Sequence, residues 1–181
     1  METAARPSYS VWSQANTAND KATVFAAWLD DYATDILRLC CCYLGNRADA
    51  EDATQETFLK AWRHMDQFEA RNLSQPKSWL LKIAVNTCRD MLRGPWHKKV
   101  DHSIDMDTLT SMQVAPQEDR DLLLDITMLP GKYKEVILLY YYQGMTIREI
   151  AQMLHGSEAG ISRRLTKACK LLKQAEEGEI E

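Results

Sequence analysis

Between Ser157 and Lys173 the chain carries Arg163, Arg164, Lys167, Lys170 and Lys173, and no acid falls between Ala159 and Ala175. At about 100° per residue, Ile161, Leu165, Ala168 and Leu172 fall on one side of a helix. Ala159, Arg163, Thr166, Lys167 and Lys170 fall on the other, with Arg164 on the flank. A cationic face with arginine near the helix start suits contact with phosphates and base edges of a duplex. A second basic group, Lys82, Arg89, Arg93, Lys98 and Lys99, is opposed only by Asp90 and has Trp79, Trp96 and Phe68 nearby. Cations interleaved with aromatics suit a single strand, whose bases stack and whose phosphates need counter-charge. Asp49, Glu51, Asp52 and Glu56 form a group of the opposite sign, which would repel DNA and suits a protein partner with basic residues. From charge alone, solvated helix surface is the plainer reading of the last two groups. For the first, a solvated cationic hairpin stands beside the DNA-reading one.

Catalytic and metal-binding patterns are missing. No Glu-x-x-His pair supports a helical di-metal site around Asp49, Glu51, Asp52 and Glu56. There is no H-E-x-x-H, and Gly131-Lys132 lacks the upstream glycine of a phosphate loop. The five cysteines, Cys40, Cys41, Cys42, Cys88 and Cys169, form no C-x-x-C pair. Three consecutive cysteines on a helix point about 100° apart and cannot share a metal. They read as small core and surface residues in a reducing cytoplasm. No enzyme activity, metal or cofactor is expected.

These groups need helices to hold them. With 45% hydrophobic and 27% charged residues, but only seven glycines and five prolines among 181, long helices are favoured over many short strands. Val24, Phe25, Trp28, Leu29, Tyr32, Ile36, Leu37 and Cys40 recur at steps of three and four and predict a first helix, stopped at Gly45. A second runs from about Ala48 to Met65, its acidic first turn suiting the helix dipole. Pro76 fits the first turn of a third, which Gly94-Pro95 ends. Periodicity fades from Trp96 to Gln117. Leu122 to Leu129 then forms a short helix ended by Pro130-Gly131, and Lys132 to Tyr142 forms another, broken at Gln143-Gly144. Thr146-Ile-Arg-Glu149 reads as a capping box, with Ile147, Ile150, Ala151 and Leu154 on the helix it opens. Ser157 is a good N-cap for the last helix. The pair joined through Gly156 has helix-turn-helix spacing.

The expected architecture is all-α: two small helical domains joined by a polar linker, the second with a helix-turn-helix. Residues 1–19 form a disordered N-terminal segment, 20–94 the first domain, 95–117 the linker, 118–175 the second domain and 176–181 an acidic tail. No secretory signal or membrane-length apolar run is present, so no membrane insertion is expected and the cytoplasm is the expected location. The formal net charge of −4 weakens any reading as a free-standing DNA binder, because phosphate neutralisation supplies most of such affinity.

Three ordered segments carry a resemblance. Asp49-Ala-Glu-Asp-Ala-Thr-Gln-Glu-Thr-Phe-Leu-Lys-Ala-Trp62 resembles the polymerase-binding helix of bacterial extracytoplasmic-function (ECF) sigma factors. Pro76-Lys-Ser-Trp-Leu-Leu-Lys-Ile-Ala-Val-Asn-Thr-Cys-Arg-Asp-Met-Leu-Arg93 is similar to that family's promoter-melting helix. Leu129-Pro-Gly-Lys-Tyr-Lys-Glu-Val136 and the following helix pair resemble its second domain. The likeness covers about Ala26 to Leu172 apart from the linker. It implies binding to core RNA polymerase and promoter DNA, and inhibition of many relatives by an anti-sigma factor. By position, Asp49, Asp52, Gln55, Glu56, Phe58 and Trp62 would belong to the polymerase-docking helix, some as contacts and some as core. A loop from Phe68 to Gln75, including Asn72, with Lys82, Asn86, Arg89 and Arg93, would hold the unpaired bases of the minus-ten element. Ser157, Glu158, Arg163, Arg164, Lys167 and Lys170 would meet the minus-thirty-five element as duplex. Where the family often reads S-E-G-T-V-K-S-R-L, this chain reads Ser157-Glu-Ala-Gly-Ile-Ser-Arg-Arg-Leu165, and Gly160 takes a side chain off the reading face. The alternative function is a helix-turn-helix regulator that binds duplex without polymerase.

Overall fold

The computed structural model describes residues 18–70, 76–93 and 120–178. Expectations for Asn72, Trp96, Lys98, Lys99 and the linker fall outside them. All regular structure among the described residues is helical, and no helix there is long and apolar enough to cross a membrane.

Helix α1 spans Ala18–Leu44, α2 Arg47–Ala70 and α3 Pro76–Arg93. Gly45 closes α1 in the left-handed region at φ 80°, donating its N–H to Cys41 O at 2.8 Å, the conformation in which a residue without Cβ is cheapest. One residue on, Asn46 caps α2: its Oδ1 accepts the Asp49 N–H at 2.8 Å, and its Nδ2 donates to Asp49 Oδ2 at 2.7 Å. Pro76 occupies the first position of α3, where its missing N–H costs nothing. The three helices pack pairwise around Trp28, Ile36, Phe58, Met65, Leu80 and Ala84, all buried.

The second unit holds α4 (Arg120–Met128), α5 (Gly131–Ile137), α6 (Ile147–Met153) and α7 (Glu158–Gly178). The regular helix expected from Lys132 to Tyr142 widens over its last five residues into a π-helical turn, Leu138–Tyr142, closed by Gln143 N–H on Leu138 O at 3.1 Å. The wider turn takes in an extra residue, so Leu138 and Leu139 are both fully buried while the neighbouring Tyr141 stays 61% exposed. Helices α6 and α7 form the helix-turn-helix. Their capping box is complete, with Glu149 N–H on Thr146 Oγ1 and Thr146 N–H on a Glu149 carboxylate oxygen at 2.8 Å. Ser157 Oγ accepts the Gly160 N–H at 3.1 Å.

The two units do not bury separate cores. Cys40 to Leu44 are all buried around the full circumference of α1. Helices α2 and α3 cover one side of that end, and α4, α5 and the π turn lie against it from the second unit. This is why five consecutive residues lack any strongly polar side chain: the end of α1 has no solvent face to serve.

Candidate polymerase and promoter interfaces

On α2, Asp52, Gln55, Glu56, Leu59 and Trp62 lie within an arc of about 120° at 100° per residue. Asp52, Gln55, Leu59 and Trp62 are exposed and Glu56 half-buried. Leu59 is 50% and Trp62 38% exposed. Their apolar surface stands amid carboxylates, a pattern suited to a protein partner rather than to water alone. Trp62 is held in place by Phe25, ring centroids 5.1 Å apart, and lies under Lys21 Nζ at 5.2 Å. Two residues of the expected docking set do other work. Phe58 is buried against Phe25 in an edge-on contact at 6.1 Å, and Asp49 is half-buried in the Asn46 cap. Leu59 was missed by sequence reasoning; its signal was an apolar residue seven positions after Asp52, on the same exposed face.

Phe68 departs from expectation. It is not in a loop, because α2 runs on to Ala70. Its ring is 5% exposed and meets Trp28 at 5.1 Å and Trp79 at 5.0 Å. Aromatic packing of this kind contributes well beyond simple area, so the helix is extended until the ring is seated. A cleft lined by His64, Gln67, Phe68, Trp79 and Ile83 opens between α2 and α3 beside this cluster, so Phe68 forms part of its wall.

Along α3, Asn86 and Arg93 are exposed, whereas Lys82 and Arg89 are half-buried. Both half-buried cations engage the second unit. Lys82 Nζ lies 2.9 Å from Nε2 of His155, the residue that makes the turn between α6 and α7 at φ 53°. Arg89 donates through Nε to Glu135 Oε2 at 2.8 Å and through Nη2 to the same oxygen. It also reaches Asn86 Oδ1 at 3.4 Å.

On α7, Ser157, Glu158, Arg163, Lys167 and Lys170 are exposed, and Ile161, Ala168 and Leu172 are buried, so the face chosen from helix angles is the outward one. Arg164 is half-buried, with Nη1 3.8 Å from Glu135 Oε1. Glu135, 2% exposed, therefore faces an arginine from each expected DNA-binding set. No signal of local spacing could have revealed this, because Arg89 and Glu135 are 46 positions apart. The neighbouring Lys134 donates to Tyr43 O at 2.9 Å, at the negative end of α1. Burial pulls the Lys134 ammonium down to about 8.

Comparison with known proteins places both units in one class. The family model of Sigma-70 region 2 matches residues 28–97, and that of Sigma-70 region 4 matches residues 120–172. RNA polymerase sigma factor SigV of Bacillus subtilis is 30% identical over 80% of this chain and 86% of its own length. ECF RNA polymerase sigma factor SigW of the same species is 30% identical over 83% and 87%. The sigma factor RpoE of Bartonella quintana, solved with the anti-sigma factor NepR, shares the fold with a TM-score of 0.65 at 21% identity, covering 84% of this chain and 96% of that one. The chain belongs to the ECF family of RNA polymerase sigma factors.

Proposed function

We propose that this sigma factor divides its task between its two helical units. The exposed α2 stripe, Asp52, Gln55, Glu56, Leu59 and Trp62, docks on basic and apolar surface of core RNA polymerase. Asn86, Arg93, Lys82 and Arg89 on α3, with the cleft between α2 and α3, hold the melted minus-ten strand, where Trp79 offers a ring to a displaced base. Asn72 and the loop around it belong with this set on the strength of the family resemblance. Ser157, Glu158, Arg163, Arg164, Lys167 and Lys170 on α7 enter the major groove at the minus-thirty-five element. The protein works in the cytoplasm, where the polymerase and promoter are, and performs no catalysis itself. An anti-sigma protein is its third partner: the structural relatives RpoE and CnrH were solved with NepR and with the cytosolic domain of CnrY respectively.

The observation that carries this reading is the mixed acidic and apolar α2 stripe, because a regulator that bound duplex alone would have no use for it. Charge reversal at Asp52 and Glu56 tests it. D52K/E56K is expected to lose co-purification with core polymerase while its far-ultraviolet circular dichroism is unchanged. Normal co-purification of the folded variant would remove the docking assignment. Tight, sequence-selective duplex binding by the free wild-type chain would favour the polymerase-independent regulator.

A further inference from the structure

Along the outward side of α7, Ala159, Arg163, Thr166 and Lys170 follow one another at steps of four, three and four, a row nearly parallel to the helix axis. All four are exposed, and the buried residues Ile161, Ala168 and Leu172 lie on the opposite side. The row is not uniformly cationic. Ala159 and Thr166 present methyl groups where a purely electrostatic surface would carry more charge.

The Thr166 hydroxyl donates to Ser162 O, one turn back, at 3.0 Å. The hydrogen that could bond a phosphate or a base is therefore engaged within the helix, and the methyl is left for a partner. Arg163 is paired with no other described residue, whereas Arg164 stands 3.8 Å from Glu135. Gly160 keeps the ground beside the row low. A Cβ there would come within 3.0 Å of Ser157 Oγ, the atom that accepts the Gly160 N–H and caps the helix. The glycine thus preserves the cap and leaves bare backbone beside Ala159 and Arg163, so the first turns of α7 can sit close to a groove floor.

Those first turns are the part of a recognition helix that meets base edges. From Ala159 to Thr166 the axis advances about 10 Å at 1.5 Å per residue, roughly three base-pair steps of about 3.4 Å. Within that span a guanidinium flanked by two methyl groups is complementary to one pattern. Arginine pairs with the two acceptors of guanine, and an alanine or threonine methyl packs on the 5-methyl of thymine, the apolar group displayed in the major groove. Lys170, about 6 Å further along, is left for phosphate.

We propose that Ala159 and Thr166 are specificity-determining residues of this sigma factor, selecting a thymine on each side of a guanine read by Arg163. The inference rests on the assignment of α7 to the minus-thirty-five duplex and adds what that duplex must display. Arg163 is about 6 Å along the axis from Ala159 and about 4.5 Å from Thr166, which puts each thymine within about two base pairs of the guanine, on either strand.

The test uses holoenzyme reconstituted from core polymerase and the full-length chain. It first selects from duplexes randomised at the minus-thirty-five position. The selected sequence is expected to hold a G·C pair with an A·T pair within about two positions on each side. Each thymine is then replaced by deoxyuridine, which removes the 5-methyl and nothing else, and holoenzyme affinity is compared on the two DNAs. Wild type is expected to lose about fourfold at each of these thymines, the worth of one methyl group withdrawn from water. Thr166→Ser keeps the hydroxyl and removes the methyl, and should become indifferent to uracil at one of them. Ala159→Gly should become indifferent at the other. Thr166→Val keeps the methyl and removes the hydroxyl, and should retain the penalty. Each ratio compares one protein on two DNAs, so a variant that folds incompletely still gives a valid reading. Selected guanines without neighbouring thymines, a wild type indifferent to uracil, or T166S and A159G variants that keep the full penalty would overturn the proposal. Loss of the penalty in T166V would assign the contact to the hydroxyl and overturn it as well. If nothing is enriched at the minus-thirty-five position, the assignment of α7 to that element falls first, and the inference falls with it.

Discussion

Alkaline titration probes the junction between the units, because groups there shift in opposite directions. Burial, reinforced by neighbouring thiols, pushes the Cys41 and Cys42 thiols from 9.0 up to about 12. Burial pulls Lys134 from 10.5 down to about 8. A thiol whose folded pKa is raised contributes stability that is whole below pH 9 and is lost as pH climbs to 12. At about 1.4 kcal/mol per pH unit for each group, the two thiols together remove roughly 2.7 kcal/mol per unit across that window. Lys134 works the other way: the folded chain releases its proton first, so stability rises by about 1.4 kcal/mol per unit between pH 8 and 10.5. The sum rises by about 1 kcal/mol from pH 8 to 9, falls by about 2 kcal/mol from pH 9 to 10.5, and then falls by roughly 3 kcal/mol per unit. Tyr43, also raised by burial, deepens the fall. By pH 12 the two thiols and Lys134 together leave the chain about 5 kcal/mol less stable than at pH 8, comparable with the lower end of a total stability of about 5–15 kcal/mol. The assay is a series of urea melts at stepped pH under a phosphine reductant, which prevents disulfides in the unfolded chain. C41A/C42A is expected to flatten the steep limb, and K134M to remove the rise below pH 9 and to steepen the fall between pH 9 and 10.5 to that of the later limb. A wild-type curve without a maximum near pH 9, or a C41A/C42A curve with the full fall, would refute the reasoning.

The helix-turn-helix carries two further predictions. Arg163→Ala should weaken a matched promoter complex by about 1–3 kcal/mol if the guanidinium reads guanine as a bidentate pair, measured as holoenzyme affinity on matched and scrambled minus-thirty-five sequences; an equal loss on both would assign it to phosphate instead. Thr146→Ala removes the α6 capping box and should cost about 1 kcal/mol in urea melts. Because hydrogen bonds from Thr146 hold the Glu149 carboxyl below its ordinary value, the same variant should let that carboxyl titrate at higher pH, and an unmoved titration would show that the box does not form in solution.

Local signals in the sequence reached most of the helical layout. Pro76, the Thr146–Glu149 box, Ser157 and Gly45 each act through backbone groups within a few positions, so residue type and spacing are enough to identify them. The α7 faces were legible for the same reason, since a helix angle decides which side Ile161 and Arg163 take. Asn46 could have been found from the Asn-x-x-Asp spacing to Asp49 but is masked by the stronger stop at Gly45. The end of α2 was misjudged because it is set by a tertiary contact, Phe68 seated between Trp28 and Trp79, and no local residue announces it. The π turn escaped for a similar reason: Leu138 and Leu139 are both buried by two different neighbours, which a single helical stripe does not anticipate. Most completely hidden was the junction. The three consecutive cysteines read as unremarkable small residues, and only the packing of α4, α5 and the π turn on the end of α1 explains why the apolar run goes all the way round the helix.

The same junction accounts for how an acidic chain can serve a DNA-binding role. Of its cations, Arg89 and Arg164 face one buried carboxylate, and Lys82 and Lys134 face the opposite unit. Part of the positive surface is thus engaged within the protein, which lowers its non-specific attraction to DNA. Leu59 and Trp62 remain exposed on α2 while α3 lies against α6 and the turn before α7. The α2 surface proposed to receive the polymerase is therefore clear of the junction between the two units, so docking there leaves the contacts of Arg89 and Lys82 undisturbed.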